Sequence, residues 1–231
     1  MRKAFSKGLV DGLPIGIGYL SVSFGFGISA AALNIPTLFA WLISATNLTS
    51  AGQAAGIEII AACGTLLEMA LTQLVINLRY ALMGFSLTQK LDSGFTTIKR
   101  LILSFGITDE IYATAISRDG KISPSYMLGL IVLPYVGWTS GTVLGSIAGE
   151  MLTPFIANAM GILLYGMFIA IFVPSAKKSK PVLLTVIISA ALSLIFKFLL
   201  PSVSFGFAII ISALVSSAIC AALFPIKEAA E

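Results

Sequence analysis

Histidine is absent from this 231-residue chain, and cysteine occurs only twice. A zinc or haem site needs clustered ligands, and Cys63 and Cys220 each stand alone inside an apolar run, so neither metal nor cofactor is expected. Buried thiols of this kind pack as small hydrophobes. Charge is scarce as well: 10% of residues are Asp, Glu, Lys or Arg, against roughly 25% in water-soluble domains. That is too little to clothe a surface in water, while 58% of residues are hydrophobic and the mean hydropathy is +1.01. The apolar atoms must face a lipid bilayer. Also missing are a P-loop and any nucleophile set beside a base and an orienting group, so enzyme chemistry has little support.

The net charge of +4 comes from 14 Lys and Arg against 10 Asp and Glu. It does not indicate nucleic acid, because the basic residues gather at segment ends and not on one face. The positive-inside bias of membrane proteins produces that placement. Arg2, Lys3 and Lys7 precede a long apolar run without a small-residue cleavage site, which reads as an uncleaved first membrane helix with a cytoplasmic N-terminus.

Eight apolar segments follow, at 12–33, 37–60, 62–88, 100–118, 123–149, 153–174, 181–200 and 202–224. Each approaches the ~20 residues a membrane helix needs. Pro36, Pro154, Pro181, Pro201 and Pro225 punctuate their ends, and no linker separates two soluble domains. The expectation is an all-α polytopic membrane protein with one transport domain over 1–231 and six to eight transmembrane helices, some broken or re-entrant. With eight crossings, the 89–99 loop carrying Lys90 and Lys99 faces outward. With 37–60 and 100–118 re-entrant, six crossings remain and every basic cluster lies inside. Both arrangements make the first and fifth segments parallel. Leu13, Pro14 and Gly25 recur as Leu133, Pro134 and Gly145, an offset of 120 (134 − 14), which raises a possible internal duplication.

A charged side chain at mid-helix costs about 2.5–3.5 kcal/mol on insertion scales, so such residues face the protein interior or a water-filled cavity. Glu68, Thr72 and Arg79 share one helical face, with Gln73, Asn77, Tyr80 and Gly84 as an adjacent polar stripe. Arg79 reads either as a cavity residue or as an interfacial anchor. In 104–117, Gly106 breaks the segment and Thr108 or Asp109 caps a new helix. Asp109 and Glu110 then complement its positive end, as proton acceptors or as a counter-charge for Arg79, or else as ordinary surface caps. In 45–56, Asn47, Thr49, Ser50 and Gln53 interrupt an apolar run beside Gly52 and Gly56. These residues suit a broken helix lining a cavity, and equally suit tight helix packing. Residues 12–27, with Pro14 and five glycines, predict a kinked, closely packed first helix. Glu58, Glu150 and Lys197 lie near segment ends, where solvation or snorkelling accounts for them.

NLRYALMG at 77–84 and TDEIYA at 108–113 resemble the two hallmark motifs of the AzlC family of branched-chain amino-acid transport permeases. GLP at 12–14 and SAGQAA at 50–55 resemble that family's first and second helices. The resemblance runs over most of the chain and implies an exporter of valine, leucine and isoleucine in the bacterial cytoplasmic membrane, working with a small AzlD-type membrane subunit. It places Asn77, Arg79 and Gly84 in one motif, Asp109, Glu110 and Ala113 in the other, and Gln53 as the second-helix glutamine. Two departures stand out: Tyr80 occupies a position where members often have histidine, and NAMG at 158–161 one where an acidic residue often begins the sixth segment. Two rivals are a transporter of another small solute and an assembly protein whose buried charges only pair with one another.

Overall fold

A computed structural model describes residues 2–151, 166, 169, 173–174 and 176–225. The predicted segment 153–174 lies almost entirely outside them, as do residues 158–161 and the Glu150 side chain. The described residues form α1 (Arg2–Ala32), α2 (Thr37–Thr46), α3 (Ser50–Ala61), α4 (Leu66–Thr88), α5 (Thr97–Ser104), α6 (Asp109–Ser117), α7 (Pro124–Met151), α8 (Lys180–Leu199) and α9 (Phe205–Leu223). Of these, α1, α4, α7, α8 and α9 are long and apolar enough to cross a membrane. Among the described residues the only β feature is an isolated bridge between Leu91 and Ile122. The protein is an all-helical polytopic membrane protein.

Two compact units divide the chain: Met1–Ile57 with Ile76–Leu164, and Glu58–Val75 with Tyr165–Glu231. The first is built on α1 and α7. Gly8 meets Gly129, Gly16 meets Gly137, Phe24 meets Gly145 and Ile28 meets Gly149, each pair 121 residues apart (129 − 8, 137 − 16, 145 − 24, 149 − 28). A constant offset means the two helices run parallel, as both predicted arrangements require. Glycine is needed because the backbones touch: a Cβ on Gly145 would collide with the Phe24 carbonyl, and one on Gly27 with that of Thr142. The offset is one residue from the 120 of the sequence echo. Pro14 and Pro134 sit inside α1 and α7 without ending either helix. The first helix also starts ten residues before the apolar run at 12–33, because Arg2 to Asp11 form its polar first turns.

With α7 as a ruler, the two doubtful segments can be traced. Thr37 bonds Ser146 at 2.9 Å, Ser44 bonds Thr142 at 2.7 Å, and Tyr135 donates to the Ala45 carbonyl at 3.0 Å. Thus α2 descends from the far end of α7 to its middle. The chain breaks at 47–49, and α3 returns: its Ile57 packs with Phe26, Ala30, Ile35 and Ala40 at the far end of α1. The second segment enters from the opposite end. Lys99 and Leu103 of α5 share a cavity with Ala4 and Ser123, Gly106 lies against Ile131, and Phe105 meets the Tyr135 ring edge-on at 6.0 Å. Then α6 returns, with Lys90 donating to the Ile116 and Arg118 carbonyls at 2.6 Å and Arg118 lying 4.0 Å over the Tyr126 ring. Both segments are re-entrant hairpins. Neither α2 nor α5, about 15 Å and 12 Å long at 1.5 Å per residue, approaches the ~30 Å hydrocarbon thickness. Residues 4, 92–99 and 123 therefore share one side.

In the second unit α8 and α9 pack together, and Ser212, Ser216 and Cys220 of α9 are buried small residues.

Two outcomes test this architecture. Gly145→Leu should lower the melting temperature in detergent, at an overpacking cost of about 1–3 kcal/mol or more; Gly18→Leu, with nothing within 4 Å of the added Cβ, should melt like the parent protein. In a variant lacking Cys63 and Cys220, single cysteines at Lys3 and Ser93 should react with an impermeant thiol reagent from one side of the membrane, and one at Asn34 from the other.

Candidate binding site at the hairpin tips

The two tips meet in the first unit. At one, Thr49 caps α3: its hydroxyl accepts the Gly52 amide at 3.1 Å. At the other, Thr108 caps α6 and accepts the Ile111 amide at 3.4 Å. Both bonds run from N-cap to N3, at one offset (108 − 49 = 59; 111 − 52 = 59). The cap residue is Thr108, with Asp109 and Glu110 in the first turn, where carboxylates complement the helix dipole. Ser50 takes the corresponding first-turn place in α3.

Between the tips stand aromatic residues that the sequence reading passed over. The Tyr19 hydroxyl lies 2.6 Å from Thr108 Oγ1 and 2.5 Å from Glu110 Oε2. Its ring meets Trp138 edge-on at 5.2 Å, and both pack on Leu48 of the other tip. The Trp138 indole donates to Gln53 Oε1 at 3.0 Å, and the Gln53 amide donates to the Asn47 carbonyl freed by the helix break. Asn47 Oδ1 accepts the Thr49 amide at 3.3 Å. One continuous chain of contacts thus joins Glu110 to Gln53. The signal was available: an aromatic ring with a polar edge, buried in a glycine-rich membrane helix, needs a partner for that edge.

Arg79 pairs with Asp109, Nη1 to Oδ2, at 2.7 Å, with both side chains more than a third exposed. Its Nη2 also reaches the Tyr80 hydroxyl at 3.3 Å. The Arg79 Nε is buried and carries no hydrogen bond among the described residues, so the guanidinium keeps a donor in reserve. An ion pair left half open at the N-terminus of the half-helix α6 is a place where a small ion with both charges can exchange partners. Asn77 is half-buried on α4, on the same stripe as Tyr80.

The remaining candidates fall elsewhere. Gly106 packs against Ile131, and Gly52 is buried in the first turn of α3. Gly84 does not break α4, and a Cβ added there would meet nothing within 4 Å among the described residues. Glu68 belongs to the second unit and is 3% exposed. It accepts the Ser204 hydroxyl at 2.6 Å and the Gly206 amide at 2.7 Å, capping the start of α9. Its partners are therefore neutral, not the Arg79 guanidinium.

The AzlC protein family model matches residues 14–152. An inner membrane protein of Escherichia coli K12, YgaZ, is 28% identical over 204 residues, covering 85% of this chain and 83% of that protein. An uncharacterized membrane protein of Archaeoglobus fulgidus is 31% identical over 175 residues, covering 75% and 76%. One from Helicobacter pylori J99 is 23% identical over 180 residues, covering 77% and 78%. No solved structure matches.

Trp138→Phe keeps a ring but leaves the buried Gln53 oxygen unpaired, which costs about 1–3 kcal/mol. The variant should melt lower in detergent, and the same substitution made in a Gln53→Met background, where that oxygen is absent, should cost less, a coupling read by a double-mutant cycle.

Proposed function

Because this chain belongs to the AzlC family, we propose that it is a secondary transporter subunit exporting valine, leucine and isoleucine across the bacterial cytoplasmic membrane, with its N-terminus in the cytoplasm, and that it performs no enzymatic step. The observation that carries this reading is the half-exposed Arg79–Asp109 pair at the tip of a re-entrant hairpin. An amino-acid zwitterion presents the same two charges in one molecule. Its carboxylate takes the Arg79 guanidinium, whose Nε is unbonded, and its ammonium takes Asp109. The ions are exchanged one for one, so no bare charge is left in a site of low dielectric. Hydroxyls and amides near the α3 tip, from Asn47, Thr49 and Ser50, supply further hydrogen bonds.

Glu110 carries the coupling proton in this scheme. It stands next to Asp109 but is held by the Tyr19 hydroxyl and not by Arg79, so its charge can change while the ion pair persists. The eight basic residues at 2–7, 90–100 and 118–121 mark the cytoplasmic side by the positive-inside bias. A small AzlD-type membrane subunit is the proposed partner.

The test is efflux of labelled valine, leucine and isoleucine from cells loaded with the matching dipeptides, with and without an AzlD-type subunit. Faster efflux with both proteins present is the expected result; unchanged efflux with both proteins in the membrane ends the assignment. Arg79→Gln should cut efflux roughly 10- to 100-fold, as expected for losing a charge-assisted bond of about 1.5–3 kcal/mol. Glu110→Gln should retain substrate exchange in proteoliposomes and lose the response to an imposed pH gradient.

A further inference from the structure

We propose that a cavity of about 390 Å³ in the first unit, walled by Gly84, Leu87, Leu103, Ile107 and Met127, is the pocket that receives the apolar side chain of the transported amino acid. Its volume falls within the ~300–1,000 Å³ range of small-molecule sites. The proposal rests on the transport reading above and adds to it the residues that choose among substrates.

Three observations place an amphiphilic ligand here. First, two residues of its wall stand close along the chain to members of the ion pair's group. Ile107 is two residues before Asp109, and Gly84 lies one turn beyond Tyr80 on the same face of α4. The Tyr80 hydroxyl is itself bonded to Arg79. A charged end held by Arg79 and Asp109 thus leaves an apolar end directed at this wall. Second, the wall is mostly apolar, with Thr88, Thr97, Arg100 and Ser104 as its polar members, where the pair is ionic, which matches the two ends of a branched-chain zwitterion. Third, Gly84 is an open position: a side chain there meets nothing within 4 Å. Inside an α-helix glycine costs about 0.5–1 kcal/mol relative to alanine, and neither a turn nor a close helix contact offsets that cost here.

The cavity also gives a route. Arg100 and Thr97 of α5 lie at its other end, on the side of the N-terminus. A substrate entering there passes Arg100 carboxylate-first and meets Arg79 at the hairpin tip.

The experiment is efflux of labelled valine, leucine and isoleucine by the full chain with an AzlD-type subunit, comparing the parent protein, Gly84→Ala and Gly84→Leu at matched membrane abundance. A methylene gained or lost in an apolar pocket changes discrimination by roughly tenfold or more. Gly84→Leu should therefore lower leucine and isoleucine efflux at least about tenfold relative to valine, and Gly84→Ala should shift the same ratio in the same direction by less. If the parent protein exports and Gly84→Leu leaves the ratio of leucine to valine unchanged, the pocket is wrongly assigned and the transport reading stands. If the parent exports none of the three, both fall together.

Discussion

Backbone polarity in hydrocarbon is the constraint on which this structure turns. An interrupted helix in the middle of a membrane exposes amides and carbonyls that no water satisfies, at several kcal/mol for each group left bare. The first unit interrupts two. It answers with the same short device at each break, a threonine whose hydroxyl takes the N3 amide, and with side chains brought in from elsewhere to meet the freed carbonyls. Gln53 turns back to the Asn47 carbonyl, and Tyr135 reaches across from α7 to that of Ala45. The aromatic residues between the tips hold these donors in place.

That arrangement needs a rigid reference, which the α1–α7 seam supplies. Contact between glycine backbones fixes the two long helices in register over between five and six turns of α1, from Gly8 to Gly149's partner Ile28. Residues on α7 then become fixed points for both hairpins: Ser146, Thr142 and Tyr135 for the one, Ile131 and Tyr135 for the other. Tyr135 serves both, so the tips are positioned against one side chain and their separation does not depend on loops.

Much of this was legible in the amino acids, for reasons that differ by feature. Charge scarcity alone dictates a membrane protein. The basic residues at 89–99 conflict with eight crossings, and their resolution by two re-entrant segments is what the tracing along α7 shows. The Arg79–Asp109 pairing was foreseeable because one arginine and two carboxylates, each inside an apolar segment, must find counter-charges. Other features were hidden. Glu68 shares a helical face with Arg79, and periodicity alone reveals nothing of a neutral partner such as the start of α9, 136 residues away. Tyr19 and Trp138 carry no charge and look like lipid-facing bulk until their hydrogen-bonding edges are matched across the fold. Gly84 read as a packing residue, since glycine in a membrane helix usually marks close contact, and only the open space beside it shows otherwise.

The parallel seam has a consequence for how the molecule is made. The first hairpin is complete in the nascent chain by residue 61, yet the hydroxyls, indole and phenol that satisfy it belong to residues 135–146. Synthesis of some seventy further residues separates the broken helix from the partners that make it tolerable in lipid. Until α7 packs beside α1, the hairpin lacks the partners that α7 supplies. The first hairpin thus reaches its final set of bonds only after α7 has been made, at a centre that did not exist when that hairpin was synthesised.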